Sequence, residues 1–363
     1  MRTKSTLATV AILLASFAPA QAAEKWGLKA GTPEIKSAGP LSFAVDGIVL
    51  VGDAKSAGIF AIDTGSAKGD ASKVSYSIDD LAGKIGAALG VKEITINDLA
   101  VNPASGQIIL SVTAAGKPAL VRIDEKGAVS ELSLKNVPSS YVALADAPED
   151  KEVTKGTRKM NYRDESITDI AYINGKVIVA GMSNSSSPSS VRELTFPFVA
   201  GEVGTSLEIY HAAHGRDEDY ATVRAFIPLT IEGETNVLAG FTCTPLVRFP
   251  IKGFESGKKL KGTTVAELGN RNKPLDMISY EKGGKTFLLM ANSARGVMKI
   301  EADGITKAPG LTEPVKGGGT AGTAFTTIKE LEGTVQLDKL NDKQAVVVIQ
   351  KDGVLSLRTI ELP

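Results

Sequence analysis

The sequence predicts an all-β ring of repeated four-stranded antiparallel units, and three observations support this prediction. First, one pattern recurs six times: an apolar strand, a short polar or glycine turn, a second strand, a tight loop and a third strand. Second, N-P-A-S-G, N-G and G-G turns separate runs of period-two alternation, as in β-hairpins. Third, the units recur about every 50 to 70 residues, a spacing typical of propeller blades. We therefore predict a six-bladed β-propeller.

The clearest part of each repeat is its outer half, formed by the second and third strands. The first copy reads V-G-D-A-K-S-A-G-I-F-A-I-D, and the fourth reads A-G-F-T-C-T-P-L-V-R-F-P-I. The six outer halves lie at 51–63, 111–124, 180–194, 239–251, 290–300 and 348–360. Fourth strands are predicted after five of them, at Val74–Ile78, Ala128–Leu134, Leu207–Tyr210, Thr263–Leu268 and, more weakly, Ile305–Ala308.

The sixth repeat lacks a fourth strand, because the sequence ends at Pro363 after its third. The segment Lys25–Ile35 precedes the first inner strand and belongs to no repeat. We expect it to pair with Val354–Leu362 and complete the last blade. Such closure removes the exposed sheet edges that an open repeat would leave.

Three segments depart from the strand pattern. Ile78–Leu89 carries apolar residues at helical spacing and is followed by Gly90, so we predict a helical insertion at about 78–90 between blades one and two. The charged segment Ala145–Glu165 is predicted to be a long surface loop. Lys316–Thr323 lacks the Gly-Lys-Ser/Thr ending of a phosphate-binding loop, and we predict a flexible loop.

Residues 1–22 have the pattern of a cleaved signal peptide. A basic start is followed by the apolar stretch Leu7–Phe17 and the cleavage pattern Ala20-Gln21-Ala22. The apolar stretch is shorter than a membrane-spanning helix. We expect residues 23–363 to form a single propeller domain that is periplasmic or secreted and not inserted in a membrane.

Charge and cysteine content narrow the partners. Forty-one basic residues balance forty-one acidic ones, which argues against nucleic acid as a partner. Cys243 is the only cysteine and cannot form an internal disulfide, so it is either buried and inert or retained for chemistry. We expect a monomer whose partner is a protein or a small-molecule ligand.

The repeats resemble the NHL-repeat and gluconolactonase-like propellers, and strands such as Ile59–Asp63 are similar to those of YVTN-type surface propellers. The resemblance covers the whole chain after residue 22 and is architectural. Gluconolactonase-like propellers bind a divalent metal on the central axis through acidic and amide side chains. Those ligands do not match this sequence residue by residue, so the resemblance implies the fold and not the activity.

Strand order predicts that most of the unusual polar residues share one face. In a four-stranded blade, the loop that leads into the inner strand emerges beside the loop that joins the second and third strands. Propellers commonly bind ligands on such a face, over the mouth of the channel. The ligand-binding candidates on it are Asp98, Asp169, Arg271, Asp276, Asn292 and Arg295.

Each of these candidates has a structural alternative. The three aspartates, in equivalent register at the start of inner strands, could hold an axial calcium ion. They could instead accept backbone hydrogen bonds as Asx-turns that stabilise each blade. Arg271 and Arg295 could grip an anionic group in a bidentate manner, or pair with neighbouring acids.

Both histidines and the one cysteine also fall on this face. His211, His214 and Cys243 could form a copper or zinc site, since imidazole and thiolate suit those metals. His-x-x-His in a loop has no fixed geometry, however, so the histidines could cap the loop while Cys243 packs as a small apolar residue. A Cys–His nucleophilic pair is a third possibility.

These observations predict a binding or scaffold module that recognises a protein or small ligand on its loop-rich face. The alternative is a metal-dependent or redox enzyme that uses the His/His/Cys site or an axial divalent cation on the same face.

Overall fold

The computed structural model describes residues 24–155, 158–231 and 233–363. The signal peptide predicted for residues 1–22 lies outside this part of the chain. No helix within the described ranges has the length and apolar character needed to cross a bilayer.

Six antiparallel sheets radiate from a central channel, which confirms the predicted six-bladed β-propeller. We number the blades by the order of their inner strands in the sequence. From the channel outwards, the strands are Leu41–Phe43, Ile48–Asp53, Gly58–Asp63 and Val137–Ala143 in blade one; Ile94–Val101, Ile108–Ala114, Lys117–Ile123 and Val129–Glu131 in blade two; Asp169–Ile173, Lys176–Met182, Ser189–Thr195 and Thr205–His211 in blade three; Val223–Ile231, Glu234–Phe241, Pro245–Pro250 and Thr263–Leu268 in blade four; Pro274–Lys282, Lys285–Asn292, Gly296–Glu301 and Phe325–Ile328 in blade five; and Thr334–Lys339, Gln344–Lys351, Val354–Glu361 and Ser77–Ile78 in blade six.

Shorter elements lie outside these blades or extend them. The helices and 3₁₀ turns are Leu81–Leu89, Ala302–Lys307, Ala71–Lys73, Tyr162–Glu165, Ile251–Gly253, Lys316–Gly318 and Lys329–Leu331. The additional strands are Lys29–Gly31, Val153–Lys155, Arg158–Met160, Arg216–Glu218, Lys259–Lys261 and Thr320–Gly322.

The core lies between the faces of neighbouring blades. The second strands are the most buried because each has strands on both sides and a blade against each face; every residue of Ile48–Asp53 is buried. Between blades two and six, Leu110 and Val346 pack with Leu81 and Ile85 of the helix. Each fully buried aliphatic side chain contributes about 1.5–3 kcal/mol, so the interfaces between blades hold the ring together.

The blades do not follow sequence order around the ring. The inner strand of blade two lies between those of blades one and six, and the inner strand of blade three lies on the other side of blade one. The order around the ring is therefore two, one, three, four, five, six.

This order follows from an exchange of outer strands. After the third strand of blade one, the chain crosses to blade six, where Ser77–Ile78 pairs with the third strand. It then forms blade two and returns to blade one, where Val137–Ala143 supplies the fourth strand. Lys29–Gly31 pairs outside Val137–Ala143.

Ring closure therefore differs in one respect from the prediction. A segment from the first quarter of the chain does complete the last blade, but it is Ser77–Ile78 and not Lys25–Ile35. The segment Val74–Ile78, predicted as the outer strand of blade one, reaches blade six because blade two, which follows it, lies beside blade six.

Two other predicted elements differ, and the helix is confirmed with a later start. Leu81–Leu89 is helical, begins where Asp80 accepts a hydrogen bond from Gly83 N–H, and ends at Gly90 with φ 70°. Ile305–Ala308 is not the fourth strand of blade five, because it overlaps the short helix Ala302–Lys307.

The two predicted loops contain some regular structure. Thr320–Gly322, within the predicted flexible loop 316–323, pairs with the outer strand of blade four. The predicted surface loop 145–165 contains one strand of a small hairpin and a 3₁₀ turn. It is held at its start by Asp146, which is buried and paired with the buried Arg192.

Candidate binding face and metal-ligating cluster

The three predicted aspartates lie on inner strands that line the central channel, a space of about 230 Å³. Asp338 of blade six repeats their arrangement. In each of the four, one carboxylate oxygen accepts the N–H of the following residue, at 2.7–2.8 Å. The other oxygen accepts an N–H from the inner strand of a neighbouring blade. These second bonds run from Leu41 to Asp98 at 2.7 Å, from Phe226 to Asp169 at 2.6 Å, from Leu337 to Asp276 at 2.8 Å and from Val101 to Asp338 at 2.7 Å.

The aspartates therefore join blades, as the Asx-turn alternative expects for stabilising residues. Within the described residues they do not approach one another closely enough to share one ion, so the axial calcium site is not formed. The carboxylates keep a small exposure towards the channel although protein surrounds them. Burial raises the pKa of Asp98 to about 7, opposed by its backbone bonds and assisted by the charge of Asp338. Burial likewise raises the pKa of Asp338 to about 6.

A depression of about 620 Å³ opens over the channel on the predicted face, and all six blades line it. Lys273 stands in its wall, and its ammonium group makes no hydrogen bond or ion pair with any described residue. Partial burial and the nearby Arg224 cation lower the pKa of Lys273. Arg224 is itself paired with Glu165 at 2.9 Å. The unpaired positive charge in this depression is therefore that of Lys273.

Two acceptors among the lining residues of this depression lack donors. Gln336 donates through Nε2 to the carbonyl of Asn97 at 3.2 Å, while its Oε1 is buried without a partner among the described residues. Thr168 Oγ1 is buried in the same way. Both residues line the depression with Lys273. It thus combines a free cation with unused hydrogen-bonding capacity.

The other predicted ligand-binding residues lie outside this depression. Asn292 is buried, and its side chain pairs with that of Asn272 at 2.9 Å. Arg295 donates to the backbone carbonyl of Asn270 at 3.0 Å. Arg271 is exposed in the same loop with φ 53°. These residues organise the loop of blade five, and the depression contains none of them.

The histidines form a cluster at the edge of blade three. Thr205–His211 turns back into Arg216–Glu218, with His211 opposite Arg216. Because side chains alternate along a strand, Glu218, two residues after Arg216, shares the face of His211.

One carboxylate contacts both histidine rings. His211 Nδ1 lies 2.9 Å from Glu218 Oε2, and His214 Nδ1 lies 2.7 Å from Glu218 Oε1. The ring centroids are 3.8 Å apart, with planes inclined by 37°. Burial would raise the pKa of Glu218, but the bonds from His211 and His214 outweigh it and hold the pKa at about 2. The ionised carboxylate can only accept, so both Nδ1 atoms carry a proton.

Cys243, the predicted third metal ligand, does not belong to this cluster. Within the described residues, the one set of three such side chains close enough to share an ion is His211, His214 and Glu218. Cys243 occupies the turn between the second and third strands of blade four, with φ 64°. Its N–H donates to the carbonyl of Asn272, which directs this turn towards blade five.

Sequence reasoning missed Glu218, Glu267, Asp338 and Lys273. Asp338 could have been found, since Leu337-Asp338 repeats the pattern of Leu275-Asp276. The spacing from His211 to Glu218 fits a hairpin turn. Glu267 has no local signal, because it reaches the histidines from another blade.

The fold and this face define a six-bladed β-propeller with a polar depression over its channel. The sequence matches no family model and no curated protein. Among solved structures, the chain is similar to the PQQ-bound form of aldose sugar dehydrogenase from Streptomyces coelicolor, with 12% identity, coverage of 92% of this chain and 96% of that one, and a TM-score of 0.36. It is also similar to an oxidoreductase described as a glucose dehydrogenase from Thermus thermophilus, with 12% identity, coverage of 92% and 99%, and a TM-score of 0.35. At these values the likeness carries no argument about activity or ligand.

Proposed function

We propose that the protein is an exported binding module that takes a small, hydroxylated organic acid in the depression over its channel. The observation that carries the proposal is the Lys273 ammonium group, which is free of any hydrogen bond or ion pair with the described residues inside a concave site. A depression of about 620 Å³ is within the range of roughly 300–1,000 Å³ found for small-ligand sites.

The lining residues support the class of ligand. A carboxylate would pair with Lys273 in a charge-assisted hydrogen bond. Hydroxyl groups would donate to Gln336 Oε1 and Thr168 Oγ1, the buried acceptors that lack donors. An unmade buried hydrogen bond costs about 1–3 kcal/mol, so a ligand that supplies these donors recovers part of that cost.

The proposal is tested by calorimetric titration with D-galacturonate and D-galactose, which differ in whether C6 is a carboxylate or a hydroxymethyl group. The wild-type protein should bind galacturonate about 10-fold more tightly, equivalent to about 1.4 kcal/mol. Lys273→Met should remove most of this difference. Lys343→Met, at an exposed site between the first and second strands of blade six, should preserve it. Equal affinity for both sugars, or unchanged binding by Lys273→Met, would contradict the proposal.

A metal-dependent or redox enzyme is the second candidate, and the histidine cluster is the observation that favours it. The predicted His211, His214 and Cys243 site would require Cys243 to join the histidines, whereas Glu218 takes that place. This candidate therefore depends on whether the histidines bind a metal with other ligands.

A further inference from the structure

The histidine cluster contains two buried polar atoms that the fold does not use. His211 is 2% exposed, and its Nε2 has no hydrogen-bond partner among the described residues. Glu267 of blade four is 1% exposed, and its Oε2 likewise has none. An unpaired buried carboxylate oxygen and an unpaired buried imidazole nitrogen are each costly.

Glu267 lies at the loop that carries both histidines. Its Oε1 accepts the N–H of Ala213, at 3.2 Å, and Ala213 lies between His211 and His214 in the sequence. Burial raises the pKa of Glu267, and the proximity of His211 and His214 opposes the rise. The carboxylate is therefore an electrostatic neighbour of both rings.

The tautomers leave the Nε2 atoms available for coordination. Both rings donate Nδ1–H to Glu218, so in the neutral form each keeps its lone pair on Nε2. The rings lie face to face and point Nδ1 at one carboxylate, so both Nε2 atoms are on the edge away from Glu218. A carboxylate that orients a metal-binding histidine through its other nitrogen is a common supporting arrangement.

Glu218 itself is poorly placed to be a ligand. Its Oε1 also accepts from Arg216 Nε at 3.2 Å and from the Tyr220 hydroxyl at 3.0 Å. A cation bound on that side would face the Arg216 guanidinium. The opposite side offers two imidazole nitrogens and a carboxylate oxygen, and His214 is 44% exposed there, which gives an ion access from solvent.

We propose that His211 Nε2, His214 Nε2 and Glu267 Oε2 bind a divalent transition-metal ion of the zinc type, with Glu218 as the residue that orients both rings. Two imidazoles and one carboxylate suit zinc and leave one tetrahedral position for water or another ligand. The site joins the outer strand of blade four to the loop that follows blade three. It does not depend on the ligand proposed for the channel mouth.

The proposal is tested by calorimetric titration of metal-stripped full-length protein with ZnCl₂. We expect one zinc ion per chain. His214→Ala, at an exposed position that the fold tolerates, and Glu267→Gln should each weaken binding by about 100-fold or more, since each removes a ligand. Glu218→Gln should weaken it by about 10- to 100-fold, the usual effect of losing an orienting residue. The exposed Glu125→Gln and the predicted ligand change Cys243→Ser should leave it unchanged.

Two results would overturn the assignment: no zinc binding by the wild-type protein, or full affinity in Glu267→Gln. X-ray absorption of the zinc-loaded wild type provides a test that needs no variant. Nitrogen and oxygen neighbours at about 2.0–2.2 Å support the site, whereas a sulfur neighbour at about 2.3 Å contradicts it.

Discussion

Stability should fall as the pH rises from about 5 to about 8, because the channel aspartates are buried. The pKa of Asp98 is about 7 in the folded protein, against an ordinary value of 3.8. The folded state therefore holds this proton more tightly than the unfolded chain does. The resulting stabilisation is complete below about pH 4 and is lost as the pH rises through about 7.

The magnitude follows from the difference between the two titrations. About three pH units correspond to roughly 4 kcal/mol at 1.36 kcal/mol per unit. Because the carboxylate keeps some exposure towards the channel, we expect about half of this, or about 2 kcal/mol. Asp338, with a pKa of about 6, adds to the loss in the lower part of the range.

Urea denaturation at about pH 5 and about pH 8 measures the effect. Asp98→Asn should lower stability at pH 5 by about 1–3 kcal/mol, because the amide offers one acceptor to two N–H donors. Its loss between the two pH values should then be about 2 kcal/mol smaller than that of the wild type. The exposed Asp352→Asn should behave as the wild type. If the wild type and Asp98→Asn lost equal stability, or if both gained it, the account of the channel would be wrong.

Two further predictions concern strand exchange and the buried ion pair. Ile78→Ala, in the two-residue strand that completes blade six, should cost about 2–5 kcal/mol by thermal or urea denaturation, whereas Val354→Ala, exposed in the same blade, should change stability by less than about 0.5 kcal/mol; similar costs would argue against this closure. Arg192→Met should cost about 3–5 kcal/mol, because Asp146 would remain as a buried charge, and adding Asp146→Asn should recover part of it. A cost below about 1 kcal/mol for Arg192→Met would contradict the buried pair.

The sequence predicts the blades because their signals are local. Period-two runs and two-residue turns identify the inner three strands of each blade without knowledge of the tertiary structure. The outer strands are different, because Val137–Ala143 pairs with a strand more than seventy residues earlier. Nothing in its residues tells blade one from blade two. Strand exchange, and with it the order of the blades around the ring, depends on which edges the folded ring leaves open.

The candidate sites divide in the same way. The histidines are visible because the chain has only two, and Glu218 follows from hairpin register. The aspartates are visible as a repeated pattern, but their role depends on the N–H groups of neighbouring blades. Lys273 and Glu267 become candidates only when the partners of surrounding groups are known, because an unpaired charge is a property of the folded environment.

The most direct test of the proposed function is a crystal structure of the protein grown with D-galacturonate at a concentration that saturates the calorimetric signal. The account predicts electron density for the sugar acid in the depression over the channel, with its carboxylate within about 3 Å of Lys273 Nζ and its hydroxyl groups near Gln336 and Thr168. Density only at another surface, or an empty depression under saturating conditions, would contradict it.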